Sequence, residues 1–332
     1  MNAFDTVRSS FQARRSGGEA HALVIHAEGS WLKSIQDEKF DFFNKLVKHA
    51  VTQGFTTRFV AAEGSASKML LGQDHINIMV GDLPGYGRNL LHAMPSYVWG
   101  FWYFDEVGVH WNSSMRFARF APEQIDRDKA EYFFNGVTGY MLRENVSKFP
   151  QEVRMQNPLQ PAAAVVFCQE IEGYRNRSHY LSTEQMIRTA ASTCKDEKVY
   201  VKPHPAQSKM SRKAVLDVAA DYQNVVVSDA SIHDLIEASR CVVSQNSAAG
   251  FEALMHRRCV ITCGKSDYWH ATLTARRDGD MREALQFGPE AMADFDYAKY
   301  LYWFLDRNCL EPAKDEFTKR AWARIKDKMF LS

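Results

Sequence analysis

Two short segments of this sequence gather groups that bind or move charge. Lys202-Pro203-His204-Pro205 holds an ammonium and an imidazole in a proline-fixed stretch, and Ser247-Ala248-Ala249-Gly250-Phe251-Glu252-Ala253-Leu254 follows later in the chain. An imidazole supplies an N–H donor or, protonated, a positive charge. A serine at the start of a helix adds a hydroxyl to unpaired backbone N–H groups and a partial positive charge. Those are the parts of a phosphate cradle, in which His204 would stabilise charge building on a departing phosphate. Each also has a plainer reading. Two prolines alone make a rigid loop, and Ser247 alone makes an N-cap. Lys202 lies on the same side of an extended chain as His204 and either adds charge there or is simply solvated.

A second group is acidic. Gln169-Glu170-Ile171-Glu172-Gly173 follows the apolar run Ala163–Phe167. Alternation in an extended chain points Glu170 and Glu172 to one side. A carboxylate there could serve as general base towards a hydroxyl or as a nucleophile, and an exposed acidic loop is the alternative. Asp105, Glu106 and His110 follow Tyr97–Phe104, an aromatic run that reads as a strand, and are either binding residues or an ordinary polar loop. Ser244 and Asn246 form the turn before the Ser247 helix. Gly250 would let the backbone approach a ligand closely, and Tyr268 or Trp269 could stack on a planar ring.

The elements that must position these groups alternate. Runs at His21–His26, Thr57–Ala61 and Ile76–Val80 read as strands, and Phe40–Val51 has apolar residues at helical spacing. After a proline-rich break at 149–161, strands at 163–167, 199–201, 225–227, 241–243 and 259–262 alternate with helices at 183–193, 212–220, 232–238 and 248–256. This rhythm predicts an α/β protein with two Rossmann-like units. The expected domains are 1–155, 156–290 and a C-terminal helical part, 291–332. In a parallel sheet ligands bind beyond the carboxyl ends of strands, so the acidic, His204 and Ser247 segments should face one crevice.

Lys-Pro-His-Pro, Ser247-x-x-Gly-Phe-Glu-Ala-Leu and Arg258-Cys-Val-Ile-Thr-Cys-Gly264, ending near Tyr268, resemble the bacterial capsule polysaccharide biosynthesis proteins over about 160–290. That family includes transferases that move the acidic sugar Kdo from CMP-Kdo, and a related His-Pro and Ser signature occurs in sialyltransferases. The resemblance implies a GT-B-like glycosyltransferase, with an N-terminal acceptor-side domain holding Asp105, Glu106 and His110. The second domain would bind the nucleotide sugar through Lys202, His204, Ser244, Asn246, Ser247, Gly250, Glu252 and Tyr268. Glu170, Glu172 and His204 would be catalytic, and Glu252 would accept a ribose hydroxyl or merely favour the helix dipole. The family's Kdo transferases are retaining, which favours a nucleophilic carboxylate. The Arg175 and Arg177 guanidiniums could pair with a sugar carboxylate. The family's usual Phe before Tyr268 is missing, since Asp267 stands there. Alternatives from the same resemblance are a CMP-sialic acid or CDP-glycerol transferase, or a non-catalytic glycan-binding subunit of a capsule assembly complex. In GT-B proteins the last helices often return to the first domain, as 312–330 could here.

Composition narrows the classes. Hydrophobic residues make up 45% and charged residues 24%, a globular balance. Lys and Arg total 41 against 40 Asp and Glu, which argues against a dedicated nucleic-acid surface. The six cysteines show no C-x-x-C spacing and read as buried thiols of a reducing compartment. No His/Asp/Cys cluster has metal spacing, and there is no Walker A sequence and no Gly-x-Gly-x-x-Gly after a strand. No cofactor or metal is therefore expected, the nucleotide sugar being a co-substrate. The expected partners are that donor and a glycan or glycolipid acceptor, without nucleic acid. The expected location is cytoplasmic, with peripheral attachment to the inner membrane or a capsule assembly complex left open. The aromatic cluster Tyr297–Leu305 is too short to span a membrane and either packs in the core or rests on a membrane surface.

Overall fold

The computed structural model describes residues 5–16, 21–82, 85–174 and 176–329. The chain forms two compact units, one of Met1–Ser96, Gly100–Ser114 and Leu305–Ser332, the other of Tyr97–Trp99 and Met115–Phe304. The expected boundary at 155 thus falls inside the second unit, and the expected division at 290 gives way to one at 305.

The first unit is built on strands β1 Asp5–Val7, β2 Ala22–Ala27, β3 Thr56–Ala61, β4 Ile76–Val80, β5 Leu90–Pro95 and β6 Trp102–Asp105, in the order β1-β3-β2-β4-β5-β6. All pairs are parallel except β5 with β6. β2 and β4 are buried along their whole length, which is why they read as continuous apolar runs rather than alternating ones. The helix Asp41–Thr52 buries Phe42, Phe43, Leu46, Val47 and Ala50, the stripe its spacing foretells. That stripe shares a core with Trp102, Phe104 and the C-terminal helix Phe317–Met329, whose Phe317 ring lies 5.2 Å from that of Phe42.

The expected strand Tyr97–Phe104 is shorter. Gly100 adopts φ +87, a left-handed conformation that interrupts extension, so only Trp102–Asp105 is strand. Tyr97 belongs to the second unit, stacked 5.2 Å from Phe251.

The second unit holds strands β7 Ala162–Phe167, β8 Val199–Lys202, β9 Val225–Val227, β10 Ser239–Ser244, β11 Cys259–Thr262 and β12 Leu273–Thr274. They lie in the order β12-β11-β10-β7-β8-β9, all parallel. The chain starts in the middle, builds outward to β9, then crosses to the other side of β7. The strand order therefore reverses between β7 and β10, the place where such sheets open a binding crevice. The helix expected over 248–256 is α-helical only for Ala248–Glu252 and tightens to a 3-10 turn over Ala253–His256, ended by Arg257 at φ +53.

Two other expectations are revised. The break at 149–161 is not an interdomain linker but an irregular strap within the second unit. Arg154 Nε donates to Asp234 Oδ1 (2.6 Å) and Gln151 Oε1 accepts from the Ile232 N–H (3.0 Å), tying it to the helix Ile232–Ala238. The cluster at 297–305 packs in the core: Tyr300, Leu301 and Phe304 are almost fully buried. All six cysteines are buried and free. Among the described residues no helix is long and apolar enough to cross a membrane.

Candidate functional site

The carboxyl ends of β7 and β10 are joined by side chains. Gln169, just past β7, accepts from the Asn246 N–H at 2.9 Å and donates to Asn246 Oδ1 at 3.1 Å. Gln245 Nε2, just past β10, donates to Glu172 Oε1 at 3.0 Å. The switch point is thus a fixed floor from which Glu170, His204 and Ser247 project.

The two acidic residues separate in role. The segment after β7 is a turn, so the alternation expected of an extended chain does not apply. Glu172 is half-buried. Its Oε1 accepts from the Thr183 N–H and hydroxyl, both at 2.8 Å, at the start of the helix Thr183–Thr193. Burial pushes its pKa up, but the Thr183 and Gln245 hydrogen bonds outweigh this and hold it below the usual value. Glu170 is exposed. Its oxygens accept from the Ser208 hydroxyl (2.6 Å) and N–H (2.8 Å), and these two bonds lower its pKa. At neutral pH both are carboxylates, with Glu172 anchored and Glu170 open to solvent.

His204 follows β8. Its Nδ1 accepts from the Ala206 N–H at 3.1 Å, so in the neutral ring the proton sits on Nε2. Burial first, then the charge of Lys148, lower its pKa, with Glu170 opposing. His204 is therefore a neutral N–H donor at physiological pH rather than an imidazolium. Ser247 is the N-cap of its short helix: its hydroxyl accepts from the Ala249 N–H at 3.2 Å and remains half-exposed. Asn246 is half-exposed too, its Nδ2 donating to the Lys265 carbonyl.

Several expected contacts lie beneath this surface instead. Lys202 Nζ donates to the carbonyls of Asp229 (2.9 Å) and Ala230 (2.7 Å), stapling the end of β8 to the loop after β9. Ser244, Gly250, Glu252 and Tyr268 are buried. Tyr268 stacks on nothing external: its hydroxyl donates to the Ser247 carbonyl at 2.8 Å and supports that residue from behind. Gly250 serves packing rather than ligand approach, since a Cβ there would lie 2.6 Å from Ser244 Oγ and 2.9 Å from Tyr268 Oη. Glu252 accepts from the Ser147 hydroxyl at 3.0 Å, while Oε2 has no hydrogen-bond partner. Burial raises its pKa to about 8, against the pull of Ser147 and Lys148. Trp269 Nε1 donates to the Arg116 carbonyl. Arg177 is exposed, and Arg175 lies outside the described residues.

In the first unit Asp105 organises its own loop, accepting from the N–H groups of Val107, Gly108 and Ser114 and from the Ser114 hydroxyl. Glu106 is exposed, 3.5 Å from Lys328 Nζ. His110, at φ +51, pairs with the Pro95 carbonyl at 3.2 Å. The three residues are thus engaged in local structure. No group of metal-binding side chains occurs among the described residues.

Sequence reasoning missed the strap. The Phe149 ring meets His204 edge-on with centroids 4.9 Å apart, and Ser147 bonds Glu252, so Ser147–Phe149 crosses the site. The three prolines nearby signalled irregular chain, but nothing periodic marked where it would lie.

Residues 170–301 match the family model described as capsule polysaccharide biosynthesis protein. That segment is similar to the capsule polysaccharide biosynthesis proteins. Two solved structures of KpsC from Thermosulfurimonas dismutans share its fold. The beta Kdo 2,7 transferase is 15% identical, with 75% of this chain and 80% of that one covered at a TM-score of 0.50. The beta Kdo 2,4 transferase is also 15% identical, with 79% and 86% covered at a TM-score of 0.50. No curated protein sequence matches the chain. The chain thus has the α/β class and the two Rossmann-like units of a GT-B-like fold.

Proposed function

We propose that this protein is a metal-independent glycosyltransferase that moves an acidic sugar, Kdo from CMP-Kdo, onto a surface polysaccharide or its lipid-linked primer with retention of configuration. The observation that carries the reading is the convergence of an ionised, exposed Glu170 with the neutral Nε2–H donor of His204 at the ends of adjacent strands. The activity in the printed names of the two similar structures and the family of residues 170–301 support it. A lipid-linked acceptor would have the protein act at the inner face of the cytoplasmic membrane.

In this reading the Glu170 carboxylate attacks the anomeric carbon. The bond from that carbon to the phosphate oxygen breaks, and its electron pair stays on CMP. The His204 Nε2–H and Ser247 hydroxyl stabilise that charge, a contribution that mutagenesis of comparable donors puts at about 2.7–4 kcal/mol. The acceptor hydroxyl then displaces Glu170, its proton passing to solvent, and two inversions give retention. Glu172 touches neither sugar nor phosphate and keeps the turn bearing Glu170 in place.

A thermal-shift screen of CMP-Kdo, CMP-sialic acid and CDP-glycerol tests the donor. A ligand at 100 times its Kd stabilises by about 2.7 kcal/mol, a readable change. Preferential stabilisation by CMP-Kdo, followed by transfer to a glycan primer, is the expected result. Preference for either other donor transfers the reading to that substrate, and no response to any favours a non-catalytic glycan-binding subunit.

A further inference from the structure

The strap across the second unit carries a cation whose position is set on both sides. Ser147 is held by its hydrogen bond to Glu252, and Phe149 by its ring contact with His204. Lys148 stands between them, its side chain reaching solvent but crowded enough that desolvation lowers its pKa, with Glu252 opposing, and its charge reaches both His204 and Glu252. Among the described residues it forms no ion pair. Glu252, the acidic group whose charge acts on it, is buried with an unpartnered Oε2, and burial raises its pKa to about 8, which weakens that compensation. A lysine without an ion pair, on a strap held against His204 by Phe149 and against Glu252 by Ser147, is placed to meet an anionic ligand.

We propose that Lys148 binds the phosphate of the nucleotide donor, making Ser147–Phe149 a wall of the donor site. This rests on the glycosyltransferase reading and extends it. The chemistry suits a nucleoside monophosphate ester: one ammonium, with the neutral His204 N–H and Ser247 hydroxyl, complements the single negative charge of a phosphodiester. A nucleoside diphosphate would bring a second charge to a site that offers one uncompensated ammonium. Lys148 is a substrate-binding residue here, and Ser147 and Phe149 are the positioning residues that hold it.

Calorimetry on the full chain with CMP, cytidine and UDP tests this. Wild type should bind CMP more tightly than cytidine and more tightly than UDP. Lys148→Ala and the isosteric Lys148→Gln should each lose about tenfold or more in CMP affinity, leave cytidine binding unchanged, and melt like wild type. Lys148→Arg should recover most of the loss. CMP affinity should fall with added salt in wild type and less steeply in Lys148→Ala. Unchanged CMP affinity in both neutral variants overturns the assignment while leaving the donor reading intact. UDP binding that depends on Lys148, without CMP binding, keeps the residue's role and overturns the CMP donor. Absence of binding by all three to wild type overturns both.

Discussion

Glu170 and Glu172 are two residues apart and chemically alike, yet their surroundings give them opposite duties. Replacing Glu172 by Gln keeps an acceptor oxygen but removes the charge that strengthens the Thr183 and Gln245 bonds, and bonds to a charged group are worth about 1.5–3 kcal/mol against about 0.5–1.5 kcal/mol for neutral ones. Glu172→Gln should therefore lower Tm by several degrees. Its folded pKa is depressed, so its stabilisation is present above the unfolded carboxylate value of 4.5 and is lost as pH falls through the lower folded value. Glu170→Gln should leave Tm nearly unchanged and abolish turnover. The donor incubated without acceptor should put a sugar adduct on Glu170 in intact-protein mass spectrometry. An inverted product would exclude the nucleophile and leave a general base. His204→Ala and Ser247→Ala should each weaken CMP binding about 10- to 100-fold without loss of fold, and equal affinity in calorimetry would dismiss the cradle. Glu252 behaves differently again. With a folded pKa near 8 against 4.5 unfolded, its contribution is fully present below pH 4.5 and declines as pH rises to about 8. The stability gap between wild type and Glu252→Gln should shift in the variant's favour by about 1.4 kcal/mol per pH unit over that window, read from urea melts at several pH values. Parallel pH profiles would mean that Glu252 is ionised in the fold.

The helix that begins at Ser247 is only five residues long before it tightens, and its placement depends on what lies behind it. Gly250 admits Ser244 Oγ and Tyr268 Oη, and Tyr268 in turn holds the Ser247 carbonyl. Both neighbours are fully buried and have no room to swing aside. Gly250→Ala should therefore cost about 1–3 kcal/mol, the usual range for overpacking. It should also weaken CMP binding, because relieving the clash moves Ser247. A variant with wild-type Tm and wild-type affinity would show that the close approach is not needed. The strap has the reverse character. It has no regular hydrogen bonding of its own, and contacts such as Arg154 to Asp234 define its course.

Across the whole molecule, charge control in the proposed reaction falls to hydrogen-bond donors and one ammonium rather than to a divalent cation. Transfer should accordingly persist in EDTA, as followed by CMP release. Loss of activity that Mg²⁺ or Mn²⁺ restores would reject this mechanism. The two units also differ in what they carry. The second holds Glu170, His204, Ser247 and Lys148, while the expected residues of the first, Asp105, Glu106 and His110, take part in its own loop and edge contacts.

The strand and helix pattern was legible in the sequence because β2, β4 and β7 are buried along their whole length and β10 over Cys241–Ser244, and all four read as mainly apolar runs. The helix Thr183–Thr193 and strands Ile76–Val80 and Cys259–Thr262 fall where periodicity puts them. That His204 and Ser247 follow strand ends was legible for the same reason. Burial of individual polar residues was not, since it depends on neighbours far along the chain. Ser147 lies far from Glu252 in sequence, yet its hydroxyl donates to the Glu252 carboxyl and ties it to the strap. Tyr97 joins the second unit because Gly100 turns the chain, a backbone event that side-chain pattern does not record. Local residue types determined the elements and the chemistry on offer. Only tertiary packing decided which of those groups face solvent, and it brought the unremarked Lys148 among them.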